Sequence, residues 1–261
     1  MTLTHPLPAT TSALPRGAVR ISGVTKVFGR GDGATTALRE VDLDVAPGEF
    51  VTIVGASGCG KSTLLSLVAG LERPTAGTVE VGGRVALMFQ EATLLPWLTA
   101  TQNVALALKL RGVPRADRTP HARELLDRVH LGDFADKRPH ELSGGMRQRV
   151  ALARVLAQDA AVACMDEPLG ALDAMTRDQM HDEIERVAQE SGLTVLFVTH
   201  NVREAVRLGD RAVLMGSRPG RVVHEVGIDL PRPRRMEDPE VARTSGSLTA
   251  ALKEDVARHV G

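Results

Sequence analysis

The run GASGCGKST, Gly55 to Thr63, has the spacing G-x-x-x-x-G-K-[ST] and sits between an apolar stretch, FVTIVG, and a helical pattern, STLLSLVAGL. That combination is a phosphate cradle. Its glycines let successive backbone N–H groups turn toward phosphate oxygens, Lys61 reaches the β and γ phosphates, and the Ser62 hydroxyl can ligate magnesium. The dipole of the following helix adds to the attraction. The cradle consists of Gly55, Ala56, Ser57, Gly58, Cys59, Gly60, Lys61, Ser62 and Thr63. It predicts binding of a nucleotide with Mg²⁺. The alternative, a glycine-rich turn with a chance Lys-Ser, is disfavoured by the strand before it and the helix after it.

Two other apolar runs finish in polar groups, AAVACMDE at Asp166 and Glu167 and TVLFVTH at His200. Neighbours on a strand point to opposite faces, so Asp166 and Glu167 are expected to divide the work. Asp166 would join the Mg²⁺ shell, and Glu167 would polarise a water for in-line attack on the γ phosphate. The structural alternative is a solvated carboxylate pair capping the turn before Pro168. His200 either bonds a γ-phosphate oxygen or orients Glu167. Gln90 closes a fourth run, VALMFQ, and can offer its amide oxygen to the metal or the attacking water.

A second anion-binding element lies at LSGGMRQRV, Leu142 to Val150. After Ser143, Gly144 and Gly145, the residues Met146, Val150, Ala153 and Ala157 recur at helical spacing, with Arg147 and Arg154 away from that stripe. The helix therefore starts at the triplet. Its free N–H groups, the Ser143 hydroxyl and the dipole form an anion site with nothing in the sequence in front of it to bind. A purely structural reading makes Ser143 an N-cap and the glycines a tight turn.

The elements that must hold these groups are short buried strands alternating with helices, an open α/β sheet in which ligands collect at the carboxyl ends of the strands. A chain of 261 residues, 43% apolar, can build one large domain or a domain with a smaller lobe. Lys+Arg and Asp+Glu both total 32, which removes the footprint of a non-specific nucleic-acid binder. The two cysteines, Cys59 and Cys164, have no metal-ligand spacing and fit a reducing compartment. No run reaches the roughly 18 apolar residues of a membrane span, and MTLTHPLPATTSALPRG lacks the order of a signal peptide. A cytoplasmic protein with a flexible tail over residues 1–17 is expected.

LSGGMRQR resembles the signature of ATP-binding-cassette (ABC) ATPases. The other motifs of that family follow in order: cradle, Gln90, signature, CMDEP, GALD and His200. The resemblance implies a P-loop NTPase with a mainly parallel core sheet, an antiparallel β subdomain and an inserted α-helical lobe. The ATPase domain would span about residues 18–235, the lobe about 91–158, and a helical extension 236–261. It also implies that two copies pack head to tail, each ATP lying between the cradle of one and Ser143, Gly144 and Gly145 of the other. Phe28 in VTKVFG matches the aromatic that stacks on adenine, with a plain core phenylalanine as the alternative. Asp173 in GALD matches the residue linking the two sites. Leu169 stands where the family usually has an aromatic, a departure expected to affect packing.

The apolar segment Leu94, Leu95, Pro96, Trp97 either buries itself or, as the resemblance implies, lies where a membrane-embedded permease docks. LLPWLT followed by NV, THNVREAVRLGDRAVLMGSRPGRVV and IDLPRPR together look like the nitrate/sulfonate/taurine importer ATPases. Such a protein would sit on the cytoplasmic face of the membrane and act indirectly with an extracytoplasmic solute-binding protein. The rivals are a soluble cassette of translation or DNA repair, an importer for another small solute such as a pyrimidine precursor, and a P-loop kinase. The chain has neither the heptads nor the internal repeat of the soluble class, and the complete signature argues against the kinase.

Overall fold

The computed structural model describes residues 14–217 and 219–259. The chain first forms strands β1 (Val19–Phe28), β2 (Thr35–Val45) and β3 (Phe50–Gly55), then helix α1 (Lys61–Val68) and strands β4 (Ala76–Val81) and β5 (Val85–Met88). Three helices follow, α2 (Ala100–Arg111), α3 (Arg115–Arg128) and α4 (Gly144–Ala157). The remainder alternates as β6 (Val162–Asp166), α5 (Ala174–Ser191), β7 (Thr194–Thr199), α6 (Val202–Leu208), β8 (Arg211–Gly216), β9 (Arg221–Gly227) and α7 (Pro239–His259).

These strands make two sheets. One has the order β5-β6-β7-β3-β8-β9, parallel throughout except for the antiparallel edge strand β9. The other is antiparallel, β2-β1-β4. The fold is thus an α/β P-loop architecture with a mainly parallel core sheet and an antiparallel β unit. Helices α2 to α4 are inserted between β5 and β6, which are themselves neighbours. They form the expected lobe.

Central strands are apolar throughout because they are covered on both sides. Residues of β6 and β7 alternate between two clusters. Ala163, Met165, Val195 and Phe197 pack with the helical lobe, and Val162, Cys164, Leu196 and Val198 pack with α1 and the antiparallel sheet. Leu169 is buried in the first of these clusters. A third cluster joins Val54, Ala205 and Leu214 to Val241 and Leu248 of α7, so the terminal helix is packed on the body. Arg234 fixes the turn leading to it by donating to the carbonyls of Val206, Gly209, Ile228 and Leu230.

Residues 1–13 of the expected tail lie outside the described residues. Its last residues are tied down. The Gly17 N–H donates to the Gly82 carbonyl at 2.7 Å, and Arg16 pairs with Asp159.

Phe197, fully buried at the centre of the sheet, has its ring 5.9 Å from that of Phe50. Phe197→Ala should cost about 3–5 kcal/mol in a urea titration, and a loss below about 1 kcal/mol would show that this contact does not organise the core.

Candidate nucleotide site

Strands β6, β7 and β3 are consecutive in the sheet and in parallel register, Asp166 opposite Val198 and Val54 opposite Thr199. Their carboxyl ends therefore share one rim, and the cradle, Glu167 and His200 follow directly from them. Three polar groups distant in sequence meet because three apolar runs pair.

The cradle wraps the start of α1. Gly60, at φ +93°, occupies the left-handed region, and a Cβ there would stand 2.6 Å from Leu38 Cδ2 and 2.9 Å from the Ala37 carbonyl. No side chain caps α1. Its first N–H groups are left for an external acceptor, whereas Ser143, Asp173 and Asn201 cap α4, α5 and α6. The Lys61 ammonium, almost fully buried, donates to the Gly55 and Ala56 carbonyls at 2.9 and 3.0 Å. A cleft of about 650 Å³ opens over the loop, lined by Ser57, Gly58, Gly60, Lys61, Ser62, Thr63 and Glu167 together with Thr35, Thr36, Ala37 and Pro219. That volume suits a nucleotide.

The cysteine of the cradle points the other way. Cys59 is wholly buried in the core beneath the loop, its sulfur against Gly55 and 3.8 Å from the Lys61 ammonium, and it does not line the cleft. Burial pushes its thiol pKa up, and the Cys164 thiol, likewise buried, is pushed up to about 12. Both are poor nucleophiles.

Alternation along a strand does not separate Asp166 from Glu167. Strand β6 ends at Asp166, and Glu167 follows at φ +45°, a left-handed conformation that side chains larger than glycine rarely adopt. The turn, not the pleat, aims its carboxylate. Glu167 Oε2 lies 3.1 Å from His200 Nδ1, which favours the orienting alternative for the histidine. The residue before it is anchored in the core: the Thr199 hydroxyl donates to the buried Glu204 carboxylate, which also contacts His181. Gln90 sits outside the cleft lining, its amide nitrogen over Gly170 in the turn that follows Glu167.

Ser143, Gly144 and Gly145 do not meet the cradle within the chain. Ser143 accepts from the Met146 N–H at 3.2 Å as an N-cap, Gly144 faces Leu172, and Gly145 packs so closely on Thr176 that a Cβ would stand 2.2 Å from its methyl. The signature thus lies beside Asp173, which caps α5 through the Thr176 N–H at 3.0 Å. That hydrogen bond holds the Asp173 carboxyl below its ordinary range. Arg147 and Arg154 leave the apolar stripe as expected but do not face solvent freely, since both donate to backbone carbonyls.

Phe28 ends β1 opposite Thr35, a cleft residue, and is 41% exposed with the Lys26 ammonium 4.7 Å from its ring centroid. It is not a core phenylalanine. Leu94 packs inward against the lobe cluster, Leu95 lines a groove of about 600 Å³ between the lobe and the sheet edge, and Trp97 is 66% exposed.

Comparison with known proteins agrees with this geometry. The family model described as ABC transporter matches residues 38–170. The aliphatic sulfonates import ATP-binding protein SsuB of Rhodopseudomonas palustris is 48% identical over 85% of this chain and 80% of its own. The chain belongs to the ABC transporter family. As a member it is an ATP-binding ATPase. The bicarbonate transport ATP-binding protein CmpC of Synechocystis is 44% identical over 84% of this chain but only 35% of its own length. Among solved structures, the ATP-binding cassette MJ0796, in a dimeric post-hydrolysis state bound to ADP and Pi, is 33% identical with a TM-score of 0.72, covering 82% of this chain and all of that one.

Sequence reasoning missed Pro219 and Gly220. The turn they form lies between β2 and the cradle: Gly220 N–H donates to the Ala37 carbonyl at 3.0 Å, and a Cβ on Gly220 would stand 2.1 Å from the Cys59 carbonyl. Glycine beside proline was visible in GSRPGRVV, but nothing in one dimension says what approaches it. Gly220→Ala should push the cradle out of shape and weaken binding of a fluorescent ATP analogue at least about tenfold. Gly227→Ala, with open space around it, should leave binding unchanged. Equal affinities in the two variants would mean that the turn does not shape the cradle.

Proposed function

We propose that this chain is the ATP-hydrolysing subunit of an importer for a small anionic solute, working as a head-to-tail pair beneath a membrane permease. The observation that carries the reading is the Glu167–His200 contact at the lip of a cleft floored by Lys61 and the uncapped start of α1. The names of the relatives, sulfonate and bicarbonate importers, support a compact oxyanion as cargo. The dimeric state of the MJ0796 cassette supports the pair.

In this reading Lys61 exchanges its two loop carbonyls for phosphate oxygens, and the N–H groups of Gly58, Gly60, Ser62 and Thr63 surround the β phosphate. Phe28 stacks on the adenine. Glu167 accepts a proton from the attacking water while His200 holds the carboxylate in place. Ser143, Gly144 and Gly145 approach the γ phosphate from the second copy, next to Asp173. The donors available to a metal, the Ser62 hydroxyl, the Asp166 carboxylate and the Gln90 amide oxygen, are all hard oxygens and fit Mg²⁺, which binds through few protein groups and the substrate phosphates. When bound, that ion neutralises charge on the β and γ phosphates.

Leu95 lines the groove that would receive a short helix of the permease, Leu94 supports it from the core side, and the exposed Trp97 two residues on would add to the contact. Among the described residues no helix is long and apolar enough to cross a membrane, so attachment through a permease at the cytoplasmic face is the arrangement proposed. An extracytoplasmic binding protein would deliver the solute, and no nucleic acid takes part.

Glu167→Gln should keep ATP binding and lower phosphate release by about a hundredfold or more. Undiminished release would remove the general-base role and with it this assignment of the site.

A further inference from the structure

Helix α4 grips the segment that carries Gln90. Gln148, only 3% exposed, donates from Nε2 to the Gln90 carbonyl at 2.5 Å. Two turns further along, Arg154 donates from Nη1 to the carbonyls of Ala92 and Thr93 at 3.3 and 2.9 Å. Thr93 has φ +44°, a costly conformation for a β-branched residue, which persists only where surrounding contacts impose it. The Gln148 Oε1 atom is buried without a partner, so the side chain is committed to the Gln90 carbonyl at the expense of its own acceptor. The strain at Thr93 and the orphaned acceptor of Gln148, which holds Gln90 three residues earlier, mark a turn held by α4 rather than one resting at its local minimum.

The amide of Gln90 in turn packs on Gly170, whose N–H donates to the Glu167 carbonyl at 3.1 Å. One rigid helix therefore presents Ser143 to Gly145 at its first turn and, from its next two turns, fixes the turn adjoining Glu167.

We propose that Gln148 and Arg154 are positioning residues for ATP hydrolysis, placing Gln90 against the Glu167 turn according to where the signature helix stands. The proposal rests on the functional reading above. It makes the nucleotide of the second copy, met by the start of α4, felt at the chain's own Gln90. Arg154 suits the task because one guanidinium nitrogen reaches two successive carbonyls, those of Ala92 and Thr93.

The test is a double-mutant cycle on the full-length protein, with kcat and KM from phosphate release and with ATP binding measured separately. Gln148→Met keeps the volume and removes the donor. It should lower kcat about tenfold with KM within about twofold. In a Gln90→Ala background the same substitution should change kcat by less than about twofold, because its effect passes through Gln90. Arg154→Met, acting at Thr93, carries the same expectation, and Arg154→Lys should restore part of the rate. Equal losses in both backgrounds would indicate general destabilisation and overturn the proposal, as would parental kcat in both Gln148→Met and Arg154→Met. If Gln90→Ala alone hydrolyses at the parental rate, the functional role of Gln90 fails first and this inference falls with it.

Discussion

The register of β6, β7 and β3 is the constraint on which the site depends. These strands are buried on both faces, so a shift of one residue would exchange the partners of two clusters at once, placing Phe197 where Leu196 or Val198 belongs. Packing therefore locks the register, and the register sets which residue emerges at the rim. Gly55, Glu167 and His200 come out together because each is at or next to the last residue of its strand. The chemistry of the site is a boundary effect of the core.

At that boundary the protein accepts local cost. Glu167 takes a left-handed conformation, Lys61 brings a buried ammonium under the cradle, and α1 begins without a capping side chain. Each would be a defect in a purely structural element and each leaves a group directed at the cleft. The same trade recurs at Thr93, where α4 imposes the strain from outside. By contrast several helices away from the cradle carry side-chain caps: Thr99 and Gln102 form a reciprocal capping box at α2, and Asp173 and Asn201 cap α5 and α6.

Much of this was legible in the chain. The run FVTIVG is β3 residue for residue, the cradle and α1 follow it, and the four-three-four spacing after Ser143 marks α4. Periodicity and turn chemistry are local properties, so they survive in one dimension. What was illegible is approach between distant segments. Cys59 reads as a cradle residue until its side chain is seen beneath the loop, and Gly220 reads as an ordinary turn until it meets the Cys59 carbonyl. Arg154 reads only as a residue off the apolar stripe until it reaches carbonyls about 60 residues back. Glu167 misleads differently, since it lies one residue beyond the strand whose pleat was used to aim it.

Among the described residues the cleft is lined by the cradle, Glu167 and the edge at Thr35, Thr36 and Ala37, while the signature triplet stands apart beside Leu172 and Thr176. In the proposed pair, these two surfaces complete each other. Sedimentation velocity and phosphate release on a Ser143→Arg protein at saturating ATP test this most directly. The account predicts that the variant binds ATP, stays monomeric and loses at least about nine-tenths of its turnover. A strictly monomeric variant that cleaves ATP at the parental rate would contradict it.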